Sequence, residues 1–174
     1  DYEIFKANKK IIGRVRRVET LDGVTCLICA GIDGKEWKTG SPNAIVGAVH
    51  IHCRGSLVPV TDTGIEFDRP SAVADFRAEA KRKHDRNPKA KKSWDELSRS
   101  SKNAKAFEVE KSYGAGAYKM TNERTTYETW FNRQPTQFKK DILGDSRYSL
   151  YSKGRYKVTE FATVEKGIKP LSSL

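Results

Sequence analysis

The segment TCLICAGIDGKEW, residues 25–37, and the later segment VHIHCRGSL, residues 49–57, together contain all three cysteines and two of the three histidines of the chain. These residues are Cys26, Cys29, His50, His52 and Cys53. Such a concentration is compatible with a disulfide, a redox pair or a metal site. Each alternative makes its own demand on the number and spacing of the cysteines.

The number and setting of the cysteines disfavour the first two alternatives. Three is an odd number, which argues against a closed disulfide framework. A redox C-x-x-C pair is expected at the start of a helix that follows a strand. Gly31 and Gly34 come soon after the pair, and glycine lowers helix propensity, so we expect no helix here. A metal site remains.

A zinc site explains the spacing best. Zinc takes four tetrahedral nitrogen and sulfur ligands, often as two short-spaced pairs. Cys26-x2-Cys29 and His50-x2-Cys53 are such pairs, with twenty residues between Cys29 and His50. His52 competes for the fourth position, but its adjacency to Cys53 makes ligation by both awkward. We therefore predict Zn²⁺ on Cys26, Cys29, His50 and Cys53.

The number of protein ligands predicts what the metal does. Four protein ligands leave no position for water or substrate, so the predicted zinc is structural. A catalytic metal remains an alternative if both histidines bind or if one ligand is missing. The alternative without metal, in which the cysteines are buried and the histidines lie on the surface, is disfavoured by the clustering.

Composition indicates a basic protein with an anionic partner. The chain has 174 residues, which suits one domain or a domain with an appendage. The net charge of +11 and the pI near 9.6 favour nucleic acid, although solubility alone is the simpler explanation. We expect neither a membrane segment nor a secretory leader. The start at Asp1 without methionine predicts a processed or partial product.

The pattern along the first seventy residues predicts a small α+β unit. We expect a helix that ends at Gly13, followed by a strand over 14–20 that leads into the cysteine segment. Two more strands are expected at KEWKTG and GSLVPV, and Pro59 favours an edge position for the latter. Residues 1–70 are thus predicted to form a zinc-knuckle α+β core.

Residues 71–120 have a different character, with many helix formers and little apolar material. Residues 77–105 contain eleven Lys or Arg against four acids, and Asn87-Pro88 interrupts them. We interpret this segment either as a solvated linker or as an arm on nucleic acid or an acidic protein surface. Trp94 would be its apolar or base-stacking anchor. The candidate contacts are Lys81, Arg82, Lys83, Arg86, Lys89, Lys91 and Lys92.

Residues 121–174 are predicted to form a set of short helices. Thr125 has capping-box spacing to Glu128, Pro135 suits a first turn, and Asp145 can cap a third helix. A further short helix is expected over 158–164. The aromatic residues have core spacing and form no recognisable cofactor motif.

Two separated parts of the chain, TLDGVTCLICAGIDGKEW at 20–37 with HIHCRGSLVPV at 50–60 and the tail at 125–161, resemble one family, the Mu F-like head morphogenesis proteins of tailed phages. The family's central motif runs T-x-D-x-x-T-C-x-x-C-x-x-x-D-G, then H-x-x-C-R before an apolar strand. The matching residues are Thr20, Asp22, Thr25, Cys26, Cys29, Asp33, Gly34, His50, Cys53 and Arg54. The tail is similar to the family's C-terminal part through Thr126, Tyr127, Trp130, Gln134, Pro135, Leu143, Gly144, Arg147 and Gly154.

This chain also departs from the family pattern. Val49 and Ile51 flank His50, where the family usually has a nearby proline. Residues 71–120 match nothing in the family and look like an insertion. The long helical region that usually precedes the motif is almost entirely absent.

The resemblance implies a structural protein of the virion, present in few copies. It would act in head assembly near the portal vertex, with the portal or capsid protein and packaged double-stranded DNA as partners. Asp22 and Arg54 would support the knuckle. We expect no catalytic residues and no small-molecule substrate, and assembly in the host cytoplasm. The alternatives are a metal-dependent nuclease with His50 or His52 as general base, or a DNA-binding zinc module outside any virion.

Overall fold

The two segments with cysteine and histidine are attached to a three-stranded antiparallel sheet. A computed structural model of the protein describes residues 2–61 and 65–174. The central strand is β1 (Arg14–Val18), and it pairs with β2 (Glu36–Lys38) on one side and β3 (Ser56–Val60) on the other. The three predicted strands are confirmed. Pro59 lies in the edge strand β3, as predicted, and an edge suits proline because it has no N–H to donate to a second neighbouring strand.

A short helix α2 (Leu27–Ile32) begins directly after Cys26, so the expectation that glycines exclude a helix here was wrong, and the absence of a helix no longer counts against a redox pair. Gly31 is needed for close packing: a side-chain carbon there would lie 3.0 Å from the Ala162 carbonyl oxygen and 3.1 Å from that of Thr159. Tertiary packing therefore outweighs the low helix propensity of glycine.

The first helix is shorter than the sequence predicts. Helix α1 (Tyr2–Ala7) ends well before Gly13, which is therefore not its cap. The Asn8 side chain donates to the Ile4 carbonyl oxygen at 2.9 Å, and such local bonds compete with continuation of a helix. Ile4 and Ile11 are 61% and 72% exposed, so their spacing does not produce a buried face.

The basic segment lies between two paired strands. It contains α3 (Phe76–Asp85), α4 (Arg99–Tyr113) and a 3₁₀ turn (Gly114–Ala117). The flanking strands β4 (Asp68–Ala72) and β5 (Tyr118–Asn122) are antiparallel, with Ala72 opposite Tyr118. The boundaries predicted after residues 70 and 120 therefore fall inside paired strands. A parallel bridge from Leu21 to Ser71 joins β4 to the knuckle, by which we mean β1, α2 and the segment between them.

The two helices of this segment pack on a small core of their own, so it is not a solvated linker. The buried residues of that core are Phe76, Ala80, Trp94, Ala106, Val109 and Ala117. Trp94 is 4% exposed and its ring centroid lies 5.7 Å from that of His84. Of the two roles considered for Trp94, its burial fits the apolar anchor, because the ring is not exposed to stack on a base.

The C-terminal part forms the expected three helices, α5 (Tyr127–Asn132), α6 (Thr136–Leu143) and α7 (Asp145–Ser152). Thr126 caps α5 by accepting from the Thr129 N–H at 3.2 Å. Asp145 is the first residue of α7 rather than its cap.

The helix predicted over 158–164 was wrong. A 3₁₀ turn (Val158–Glu160) stands there instead, and the hairpin of β6 (Ala162–Thr163) and β7 (Gly167–Ile168) follows it. A last 3₁₀ turn (Leu171–Ser173) comes before the end of the chain.

The knuckle and the C-terminal helices share the main core. Its buried residues are Leu21, Leu27, Ala30, Tyr127, Phe131, Phe138, Ile142, Leu143, Val158, Phe161 and Ala162. Helix α2 packs in this core against aromatic residues from the C-terminal part of the chain. The predicted α+β class is confirmed. Within residues 2–61 and 65–174, no helix is long and apolar enough to cross a membrane.

Candidate metal centre

The first pair of candidate ligands lies at the start of α2. Cys26 is the N-cap residue, and its sulfur lies 3.5 Å from the backbone nitrogen of Cys29. One helical turn separates the two residues, which places their side chains on the same side of the helix. Cys29 is buried, and Cys26 is half-buried.

The second pair lies in a tight turn that faces the first. The Cys53 N–H donates to the His50 carbonyl oxygen at 3.2 Å. His50 Nδ1 lies 2.6 Å from the Ile51 carbonyl oxygen, which leaves Nε2 directed at the cysteines. A bond of this kind on the second nitrogen is usual for a histidine that binds a metal. His52 has a φ of 66°, a left-handed conformation uncommon outside glycine.

The four predicted ligands converge. His50 Nε2 lies 3.1 Å from Cys26 Sγ and 3.0 Å from Cys29 Sγ, and the sulfurs of Cys29 and Cys53 are 3.7 Å apart. With Zn–S about 2.3 Å and Zn–N about 2.0 Å, tetrahedral ligand atoms lie roughly 3.5–3.8 Å from one another. The Cys29–Cys53 separation lies in this range and the two separations from His50 Nε2 are shorter, so the cluster could hold a metal ion after a small adjustment of His50.

The ligand atoms form two overlapping groups, each within 4.8 Å. The first consists of Cys26, Cys29 and His50, and the second consists of Glu19, Cys29 and Cys53. Cys29 belongs to both and is the centre of the cluster. Within the described part of the chain, His52 belongs to neither group.

The ionisation of the metal-free cluster follows from its hydrogen bonds. The hydrogen bond with the Cys29 side chain lowers the pKa of the Cys26 thiol to about 5. That bond and burial raise the pKa of Cys29. The bond to the Ile51 carbonyl oxygen raises the pKa of His50. Metal ligands must be deprotonated, so a metal ion would displace protons from Cys29 and His50.

The two predicted supporting residues form an ion pair beside the cluster. Arg54 Nη1 lies 2.7 Å from Asp22 Oδ2, and the Asp22 side chain is 1% exposed. Asp22 also accepts from the Thr25 N–H at 2.8 Å and from the Tyr118 hydroxyl at 2.9 Å. Because Asp22 precedes the first ligand pair and Arg54 follows the second, this pair connects the two ligand segments.

The sequence did not single out two buried residues that lie beside the cluster, Arg17 and Glu19. Arg17 is fully buried, and its Nε donates to Glu19 Oε1 at 2.7 Å. Its Nη2 donates to Cys53 Sγ at 3.0 Å, and its Nη1 donates to the Gly47 carbonyl oxygen at 2.8 Å. One sequence signal could have indicated a buried ion pair. Arg17 lies on the same strand face as the apolar Val15 and two positions before the acidic Glu19.

A cleft of about 810 Å³ opens onto the cluster. One wall holds Cys26, His50 and Arg54, and the other is the face of α4 with Arg99 and Phe107. Phe107 is 51% exposed. The cleft gives a metal ion a path of entry from solvent.

The predicted nucleic-acid contacts lie on the outside of the helical pair, which consists of α3, α4 and the loop between them. Lys81 pairs with Asp85 at 2.6 Å, and Lys83 pairs with Glu79 at 3.4 Å. The other five are exposed and form no ion pair within the described residues. We call these five the basic surface: Arg82, Arg86, Lys89, Lys91 and Lys92.

Comparisons with known proteins found no match to this chain among protein-family models, curated proteins or solved structures.

Proposed function

We propose that the protein is a zinc-stabilised structural component of a tailed-phage head, located near the portal and the packaged DNA. The observation that carries this proposal is the convergence of Cys26, Cys29, His50 and Cys53. These are the cysteine and histidine positions of the resembled motif, and they occur in the motif's order.

The donor set supports zinc as the metal. Three thiolates and one imidazole are soft to borderline ligands that favour zinc over magnesium or calcium. With all four side chains bound to it, the ion would have a complete shell of protein ligands and a structural role. Bound there, zinc would crosslink the start of α2 to the turn that contains His50 and Cys53.

Contact with DNA is supported by the basic surface. Its five cations have no acidic partner within the described residues, so they are free to neutralise phosphates and release counterions. The net charge of +11 adds a long-range attraction for any polyanion. This binding would be independent of DNA sequence, as suits a protein beside densely packed genomes.

Two measurements test the proposal. Metal analysis of the purified protein should give about one zinc per chain, and the Cys29→Ser variant should lose it. Mass spectrometry of purified DNA-filled particles should find the protein in a few copies. Zinc-free protein with an intact fold would exclude the metal centre. Absence from the particles would exclude the assignment to the virion.

A second candidate function is favoured by the cleft. His52 lines it together with Arg54 and Arg99, a histidine with two cations that could contact a phosphodiester. The protein would then be a metal-dependent nuclease with His52 as general base. Incubation with duplex and single-stranded DNA plus Mg²⁺ or Mn²⁺ tests this. Cleavage that His52→Asn abolishes would establish the nuclease, and intact DNA would exclude it.

A further inference from the structure

One guanidinium group contacts both ends of the loop segment that contains the second ligand pair. Arg17 Nη1 donates to the Gly47 carbonyl oxygen and Nη2 donates to Cys53 Sγ, at 2.8 Å and 3.0 Å. His50 lies between these two contacts in the sequence. Arg17 itself is fixed in strand β1 and has no exposed surface.

The loop needs such an anchor because its backbone supplies little order. Residues 45–55, which the structure describes throughout, contain no helix or strand. Among the described residues, the one backbone–backbone hydrogen bond of this segment joins the Cys53 N–H to the His50 carbonyl oxygen. Side-chain contacts must therefore hold the segment against the loss of conformational entropy.

Glu19 fixes the orientation of the guanidinium. Its carboxylate accepts from Arg17 Nε at 2.7 Å and is 2% exposed. The carboxylate fits only because position 55 has no side chain: a carbon there would lie 2.1 Å from Glu19 Oε1. Arg17 is thus held in a single geometry in which its other two nitrogens face the loop.

We propose that Arg17 is a positioning residue for the metal centre. It holds segment 47–53 on β1 before metal binds, so His50 and Cys53 are already assembled opposite α2. It also offsets charge, because Zn²⁺ with three thiolates and a neutral imidazole carries one net negative charge. Hydrogen bonds to ligand atoms from the surrounding residues commonly change metal affinity about 10–100-fold. This inference rests on the proposed metal centre.

The test compares Arg17→Lys with Arg16→Lys. Arg16 is a matched control, because it is the adjacent arginine of β1 and its ion pairs go to Glu36 and Glu123, away from the loop. Zinc affinity is measured by competition with a chromophoric chelator at a temperature at which circular dichroism shows both variants folded. We expect Arg17→Lys to bind zinc about 10–100-fold more weakly than wild type. Arg16→Lys should stay within about twofold.

The outcomes separate the two proposals. No zinc binding by folded wild-type protein would remove the metal centre itself. Tight binding by wild type with equal affinities for Arg17→Lys and Arg16→Lys would overturn the role of Arg17 alone. A weaker affinity confined to folded Arg17→Lys would support that role, because a purely structural contribution would lower the melting temperature without changing the affinity of folded protein.

A second variant covers the case in which Arg17→Lys does not fold. Replacing Arg17 with Met and Glu19 with Leu removes the buried ion pair as a unit, and such replacements are often tolerated. Chelator competition with this folded double variant should again give weaker zinc binding. Wild-type affinity in the double variant would overturn the proposal.

Discussion

Asp33 and Arg69 form an ion pair 2.5 Å apart in which neither side chain is exposed. Asp33 follows α2 and Arg69 lies in β4, so the pair fastens the strand before the helical pair to the knuckle. Asp33 also accepts from the backbone N–H groups of Glu19 at 2.7 Å and Tyr127 at 2.6 Å. One carboxylate thus joins the knuckle, β4 and the C-terminal helices.

Loss of this carboxylate should be costly. Asp33→Asn leaves the Arg69 charge buried without compensation, and breaking a buried ion pair in this way typically costs about 3–5 kcal/mol. Denaturant titration of wild type and variant measures this loss as a difference in the free energy of unfolding. The control is Glu66→Gln, which breaks the exposed Arg124–Glu66 pair and should cost less than about 1 kcal/mol. Equal effects of the two variants would contradict the central role of Asp33.

The metal centre should distinguish its two histidines. His50→Ala removes the nitrogen that faces Cys26 and Cys29 and should abolish stoichiometric zinc. His52→Asn, which keeps a residue type that tolerates the left-handed backbone, should retain it. Metal binding by both variants is measured by titration with Co²⁺, followed through the sulfur-to-metal charge-transfer absorption. Removal of zinc by a chelator should lower the melting temperature of wild type and leave that of His50→Ala unchanged. Loss of metal from His52→Asn would assign the fourth ligand to His52.

Gly55 should resist substitution because the Glu19 carboxylate occupies the space of its missing side chain. Gly55→Ala would force the buried Glu19–Arg17 pair apart, at a cost of about 1–3 kcal/mol. Gly13→Ala is the control, since a side-chain carbon there would meet no atom within 4 Å. Thermal unfolding of both variants is the measurement. A melting temperature for Gly55→Ala as high as that for Gly13→Ala would refute the close approach.

The basic surface should account for the salt dependence of DNA binding. Replacing Arg82, Arg86 and Lys89 with Gln should weaken binding and reduce the slope of log affinity against log salt by up to about 0.9 per lost phosphate contact. The matched control changes the exposed Lys153, Arg155 and Lys166 to Gln, which removes the same net charge elsewhere. Fluorescence anisotropy with duplex DNA over a range of salt concentrations gives the slope. Identical slopes for the two triple variants would show that only net charge matters.

Trp94 should matter for stability and not for nucleic acid. Trp94→Ala removes a buried ring from the core of the helical pair and should cost about 3–5 kcal/mol. Trp94→Phe keeps most of the packing and should bind single-stranded oligonucleotides as wild type does. Chemical denaturation and anisotropy test the two halves of this prediction. Weaker oligonucleotide binding by stably folded Trp94→Phe would restore a stacking role.

Local patterns predicted β1, β2 and β3, the spacing of the candidate ligand pairs and the three C-terminal helices, because these depend on spacing, capping residues and prolines close in sequence. The helix after Cys26 could not be predicted in this way. Gly31 is accommodated there by carbonyl groups of Thr159 and Ala162, far along the chain. The bond from Arg17 to Cys53 and the pair of Asp33 and Arg69 are also products of tertiary packing. Local sequence patterns do not predict which buried charged residues will form ion pairs with each other in the folded protein.

The antiparallel pairing of Ala72 with Tyr118 brings the two ends of the segment that contains α3 and α4 side by side. Its chain leaves and returns at neighbouring positions of one two-stranded ribbon, so a tight turn of a few residues could close the gap. The length and sequence of residues 73–117 could therefore change without a change in the strand pairing of β4 and β5. The charge that α3 and its following loop contribute can thus vary independently of the knuckle that supports them.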